Sequence, residues 1–494
     1  MKRINKILMA SMLAVILSSC GNNWLDMSPS DSLPSDKAIT SYNDASVALT
    51  GIYDGLQGSS DKASYYAARM FYYGDVRADD MQARTQGMRS SSCYEMRYTL
   101  DDAPNMWTVP YNVIRRANQL IDAIDGNKIL DATEEQLKNL KAEALTIRAL
   151  VHFDLVRIYG KPYNVDNGAS FGIPIVTKPL EMDALPGRNT VAEVYTQVIK
   201  DLTDALATQG LSNKAKYGYV NEWFAKGLLA KVYLYKGDNS LALSTAEDVI
   251  KNSPYSLWTN SEYVKGWTTS DTGRKEMLFE LVNKSSDDWA DRESITYLMN
   301  EDGYADLIAT KAFLDLLNED PKDVRHGILL SAIDEDLQKI FGTATIFVNK
   351  FPADESGEMR LNSLPILRLS EVYLIAAEAA AKSSDKIKAA KYLNDIVLRA
   401  NPDATKVSED DATLARIMKE RRKELVGEGQ RFFDAMRNNE TIVRYADESN
   451  KGFHYSLSKE SQSFDRSYFR TILPIPLDEI NVNPILDEQQ NTGY

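Results

Sequence analysis

Three histidines, at positions 152, 326 and 454, are scattered along a 494-residue chain that also carries 71 carboxylates and two cysteines. No HExxH, paired CxxC, GxSxG or phosphate-cradling glycine loop accompanies them. His152 falls inside an apolar helical stretch, where a packing role is the default. Carboxylates at 71 positions guarantee chance neighbours, and nothing singles out one pair as acid and base. The chain therefore reads as a non-enzyme with no cofactor, catalytic residue or metal site. Asp75, Asp79 and Asp80 do cluster, but Arg77 lies among them and favours ion pairing or helix capping over metal binding.

Binding through aromatic faces is the chemistry that the composition supports better. Sugar rings stack their apolar C–H faces on aromatic side chains, while amides, carboxylates and guanidinium groups read the hydroxyls. Trp267 in VKGWTTSDTG and Trp289 in SSDDWADRES are flanked by Gly, Ser, Thr and Asp, which predicts exposed loops and makes both indoles ligand candidates. In SYYAARMFYYGDVRADD, Met70, Phe71 and part of the tyrosine set read as core, with Tyr72 and Tyr73 as the ligand candidates. Arg84 shares the following loop with Arg89 and Arg97, placed to hydrogen-bond a ligand or to meet a partner. Trp107 is assigned to the core because Tyr111, Ile114 and Ala117 continue its face.

Helices must position these groups. Thr133 and Gln136 form a capping box, and Leu137, Leu140, Ala144, Ile147, Val151, Leu155 and Ile158 follow at spacings of three and four, one buried helical face. Gly160 and Pro162 end that helix. A second box, Thr190 with Glu193, opens a helix striped by Val191, Val194, Val198, Leu202 and Leu206. Around Gly237-Asp238, the residues Leu229, Ala230, Tyr233, Ala242 and Pro254 fall where a tetratricopeptide repeat has its signature positions. A weaker echo runs from Leu369 to Pro402. Segments at about 60–104, 160–189, 253–305 and 440–475 have no clear period, and ordered insertions of such length tend to carry binding function.

At the N-terminus, Lys2, Arg3 and Lys6 precede an apolar run from Ile7 to Leu17, the pattern of a secretory signal. The run falls short of the roughly 20 residues needed to span a bilayer. Leu17-Ser18-Ser19-Cys20 resembles the lipobox of bacterial lipoproteins, which makes Cys20 the expected lipidation site. Several acyl chains, at about 0.8 kcal/mol per buried methylene, would hold the protein on a membrane. Residues 1–19 are then a signal peptide, 20–41 a tether, and 42–494 a single folded domain. The formal net charge of −14 disfavours nucleic acid, and with Cys20 acylated, Cys93 has no intramolecular disulfide partner.

The segment LPIPLDEINVNPILDEQQNTGY, together with WLDMSPSDSLP, EALTIRALVHFDLVRIYGKP (143–162), KERRKELVGEGQRFFDAMR (419–437) and WTVPYNVIRRANQLID (107–122), resembles the SusD/RagB family. The resemblance covers essentially the whole mature chain. It implies a mostly α fold of four tetratricopeptide-type helix-turn-helix units supporting an irregular, loop-rich binding portion. It also implies capture of nutrient oligomers, mostly oligosaccharides and in some members peptides, for a SusC-like TonB-dependent outer-membrane transporter over which the protein acts as a lid. The expected location is the outer membrane, lipid-anchored and surface-exposed. Here Gly21-Asn22-Asn23-Trp24 replaces the acidic residues that follow the cysteine in many members, which bears on surface exposure. The mixed charges at Glu420, Arg421, Arg422, Glu424, Glu428, Arg431 and Asp434 read as bidentate pairs that hold a C-terminal helix to the body. The readings from other classes are a helical-repeat scaffold or adhesin with protein partners only, and a cell-surface glycoside hydrolase.

Overall fold

The structure, a computed structural model, describes residues 38–58, 65–84, 89–268, 274–284, 293–332, 345–353 and 357–494. Capping chemistry fixes where its helices begin. α1 (Tyr42–Gln57) starts at Ser41, whose hydroxyl accepts the Asp44 N–H while the Asp44 carboxylate accepts the Ser41 N–H. This reciprocal box satisfies two otherwise orphaned donors. The short α2 (Arg69–Asp75) lies in the first long insertion, and α3 (Thr108–Asp125) then packs back on α1. Thr133 and Gln136 open α4 (Glu134–Tyr159), and Thr190 and Glu193 open α5 (Val191–Ala207), both as their sequences predict. α6 (Glu222–Lys236) and α7 (Asn239–Asn252) are joined at Gly237, whose φ of +95° is left-handed backbone that glycine adopts without Cβ strain. After α8 (Lys311–Leu317) come α9 (Leu369–Lys382), α10 (Lys386–Ala400), α11 (Leu414–Leu425) and α12 (Arg431–Arg437).

Four helix pairs result: α1 with α3, α4 with α5, α6 with α7, and α9 with α10. They are joined in series by α3 on α4, α5 on α6 and α7 on α9. A single pair buries only one face and needs a neighbour for the other, and the stacked pairs share one continuous core. The mostly α architecture expected of the sequence is the one observed. α4 is its axis, buried without interruption from Ala142 to Val156. Polar residues inside that stretch are matched: Arg148 makes a bidentate pair with Asp201 at 2.8 and 2.7 Å, and Asp154 accepts the hydroxyls of Tyr65 and Tyr66. Among the described residues no helix is long and apolar enough to cross a membrane.

Strands serve only as clasps. β1 (Met81–Ala83), β2 (Met277–Leu281), β3 (Leu307–Ala309), β4 (Leu329–Ser331), β5 (Ile346–Val348), β6 (Leu364–Arg368), β7 (Ile442–Val443) and β8 (Ser463–Phe464) form two-stranded antiparallel sheets. The pairings are β1–β3, β2–β6, β4–β5 and β7–β8. The first joins residues more than 220 positions apart, with Met81 opposite Ala309 and Ala83 opposite Leu307.

The C-terminal charged segment is buried, as its pattern predicts. Arg368, at the end of β6, reaches Glu276 at 2.7 Å, Glu424 at 3.1 Å and Glu428 at 2.6 Å. Glu424 also faces Arg399 at 2.6 Å and Arg325 at 3.4 Å. Burial alone would raise the Glu424 carboxyl, but Arg399, Arg368 and Arg325 together hold it well below the usual carboxylate range. Further along, Arg422 pairs with Asp80 and Arg431 with Asp79, which gives the aspartate cluster near residue 79 its ion-pair role.

These pairs draw α2 against the turn before α12, where two backbones touch. The Gly429 N–H donates to the Asp75 carboxylate at 2.8 Å, and a Cβ on Gly74 would lie 2.0 Å from the Gly429 carbonyl oxygen. Gly74→Ala is accordingly expected to destabilise the fold by about 1–3 kcal/mol or more, since backbone must shift to admit the methyl. A thermal unfolding midpoint equal to that of the native chain would contradict this contact.

Candidate functional site

Three of the four non-periodic segments converge on one corner of the molecule. The 60–104 segment is clasped to the residues around 305 by β1–β3, and the Ile295 N–H donates to the Ala67 carbonyl at 2.9 Å. The 440–475 segment closes on the same region. The Gln82 amide donates to the Phe453 carbonyl at 2.9 Å, the Tyr455 hydroxyl to Glu95 at 2.9 Å, and the Tyr94 hydroxyl meets His454 Nδ1 at 2.5 Å. Insertions that look unstructured in the sequence are thus ordered by one another.

At this corner Tyr297 and Tyr304 stand half-buried, ring centroids 5.1 Å apart and nearly edge to face. The turn between them fixes both rings. The Tyr304 N–H donates to the Tyr297 carbonyl at 2.8 Å, and a Cβ on Gly303 would lie 2.1 Å from that same oxygen. The Arg89 guanidinium carbon lies 4.0 Å from the Tyr304 ring centroid, within cation–π range. Its Nη2 donates to Glu293 at 2.8 Å, with both carboxylate oxygens engaged and the two side chains 35% and 25% exposed. The hydrogen bond to Glu293 raises the Arg89 pKa further. Beneath them Asp306 accepts the Arg89 N–H at 2.8 Å and the Ser90 N–H and hydroxyl at 3.3 and 3.2 Å. Burial nevertheless pushes its carboxyl above the usual value.

An aromatic pair beside a bidentate Arg–carboxylate pair can stack on a ring while offering hydrogen-bond donors and acceptors to its hydroxyls. Elsewhere, an open groove of about 1220 Å³ between the start of α4 and the chain leading into α6 is lined by polar residues such as Glu134, Lys138 and Gln209, with Tyr42 as its one aromatic. That lining has no stacking pair.

Arg84 lies at the corner but faces inward, donating to the carbonyls of Ala305 at 2.7 Å and Tyr304 at 3.0 Å. It holds the tyrosine-bearing turn in place. Trp267 is not in an exposed loop: its side chain is 1% exposed, with the Arg368 guanidinium 4.9 Å and the Lys350 ammonium 5.0 Å from its rings and Trp258 edge-on at 5.2 Å. It is an aromatic plate on the buried charge network. Tyr72 and Tyr73 are likewise buried. Tyr72 accepts a hydrogen bond from Arg69 at 3.0 Å, and Tyr73 packs on Phe432 and Phe433 with Arg77 against its ring, so neither presents a face to a ligand. Trp289 and Cys20 lie outside the described residues. Sequence reasoning missed Tyr297, Tyr304 and Glu293. The available signal was YLMNEDGY, in which two tyrosines bracket an Asn-Glu-Asp-Gly turn.

Stacked helix pairs that carry a corner built from insertions define a class of protein, and comparison with known proteins identifies it. Residues 335–494 match the family model described as SusD family, and residues 23–234 match one described as starch-binding associating with outer membrane. A SusD superfamily protein from Bacteroides thetaiotaomicron VPI-5482 is 40% identical, with 91% of this chain and 99% of that one aligned at a TM-score of 0.84. A structure described as a putative sugar binding protein from Bacteroides vulgatus ATCC 8482 is also 40% identical, covering 92% and 99% at a TM-score of 0.83. A SusD-like protein of Bacteroides ovatus is 24% identical over 467 residues, 87% of this chain and 82% of its own length. The chain belongs to the SusD/RagB family.

Proposed function

We propose that this chain is a lipid-anchored capture protein of the outer membrane that binds oligosaccharides at the Tyr297–Tyr304 corner and passes them to a TonB-dependent transporter of the SusC type. The observation that carries the reading is a half-buried tyrosine pair beside Arg89 and Glu293, where the 60–104 and 253–305 insertions meet. The starch-binding description of the matching family model and the sugar-binding description of a 40% identical relative support the ligand class. Cys20 carries the anchor and residues 20–41 the tether, with the folded body facing the cell exterior. Trp289 stays a ligand candidate on its sequence setting alone, and the protein performs no bond-breaking step.

Titration calorimetry with the mature chain carrying Cys20→Ser, against a panel of oligosaccharides, tests this. Tyr304→Ala and Tyr297→Ala are each expected to weaken the best ligand by about 10–100-fold, the loss of a stacked ring worth roughly 1.5–3 kcal/mol. Trp289→Ala belongs in the same series. Trp267→Ala, in the fraction that folds, should bind as the native chain does. Unchanged affinity in both tyrosine variants would remove the corner as the binding site, and release of shortened products would replace capture with catalysis.

A further inference from the structure

We propose that the corner selects neutral oligosaccharides and rejects chains bearing uronate or sulfate groups, an inference that rests on the oligosaccharide reading above. Among the described residues, the two guanidinium groups that touch the Tyr304 turn are already occupied. Arg84 donates to two backbone carbonyls, and Arg89 spans both oxygens of Glu293. An acidic sugar could take Arg89 only by displacing Glu293, which would leave two carboxylates competing for one cation. Asp302, exposed on the turn that carries Tyr304, adds negative charge, and Asp306 lies beneath. Over the whole chain the formal charge of −14 repels polyanions at long range.

A neutral sugar meets no such penalty. Each of its hydroxyls both donates and accepts, and the Arg89–Glu293 pair offers both kinds of partner side by side. The paired charges are thus matched to hydroxyl groups and closed to carboxylates.

Affinity electrophoresis and titration of the mature Cys20→Ser chain with laminarihexaose, maltohexaose and xylohexaose, and with oligogalacturonate, oligoalginate and chondroitin sulfate fragments, test this. Runs at about 20 and about 500 mM NaCl vary the screening. The expected result is retention by at least one neutral oligosaccharide, insensitive to salt, and none by the anionic set. Glu293→Gln should release Arg89 and bring oligogalacturonate affinity up at least about tenfold at low salt, from the undetectable level of the native chain. Binding of an anionic oligosaccharide by the native chain, weakening with salt, would overturn the proposal while leaving glycan capture intact. No gain for oligogalacturonate in Glu293→Gln would also overturn it. Binding of neither set would instead overturn the oligosaccharide reading beneath it.

Discussion

Glu424→Gln is expected to lower folding stability by about 3–5 kcal/mol, the cost of leaving buried charge unpaired. Its carboxylate is the shared counter-charge of Arg399, Arg368 and Arg325, and all four side chains are at most 4% exposed. A neutral amide would leave three guanidinium groups facing each other with less compensation than folding requires. On the same helix, Lys419 pairs with Glu319 at 2.9 Å with both side chains half-exposed. Lys419→Met should therefore change stability by no more than about 0.5 kcal/mol, as for most solvated pairs. Urea denaturation of the two variants makes the comparison direct. Similar small losses in both would mean that the network contributes no more than a surface pair.

Through His152 and His454 alone, acidification from about pH 7 to about pH 5 should remove about 4 kcal/mol of stability, partly offset by the buried Asp75 and Asp306 carboxyls, which burial raises. Burial, then the neighbouring Arg148 or Arg444, pushes each imidazole down to about 3. The unfolded imidazole takes up its proton near pH 6.5. Between about pH 6.5 and about 3 the unfolded chain binds more protons than the folded one, so stability rises with pH across that window. Each histidine accounts for about 2 kcal/mol of the change.

The geometry at His152 shows why its second proton is unwelcome. Nδ1 donates to the Arg148 carbonyl at 3.1 Å, and Nε2 already receives the Val176 N–H at 3.4 Å. At lower pH still, Glu424, Glu378 and Asp79 add losses as the pH falls, because their paired arginines outweigh burial and hold them below the usual range. A double variant, His152→Gln with His454→Gln, should flatten the profile between about pH 7 and about 5. If native and double variant lose stability in parallel as the pH falls, some other group is responsible.

What the sequence made legible follows the range of the interactions. The capping boxes at Thr133 and Thr190, the turn at Gly237 and the apolar stripe of α4 depend on neighbours a few residues away, and each element stands where its pattern placed it. The charges from Glu420 to Asp434 were legible as a buried clamp because seven ionisable residues so close together on a helical segment must find partners. Trp267 was not legible. Its local setting is polar, and its burial comes from Arg368 and Lys350, about 80–100 positions away in the chain. For the corner, Arg84 was visible in the sequence, but its inward orientation is set by the carbonyls of Tyr304 and Ala305. Tyr297 and Tyr304 lie close to Glu293 in the chain, and β1–β3 brings Arg89 beside them from more than 200 positions away.

The splitting of the first helix pair has a kinetic consequence. α4–α5, α6–α7 and α9–α10 each join elements that are near neighbours in the chain, and contacts of that kind close quickly. α1 and α3 are separated by some fifty residues whose anchors include Glu293 and Phe453, 204 and 371 positions downstream. The scaffold can reach native helix content while the corner is still open, and binding competence arrives as a late and slow step. Far-ultraviolet dichroism during refolding would then plateau before the tyrosine signal and ligand binding recover.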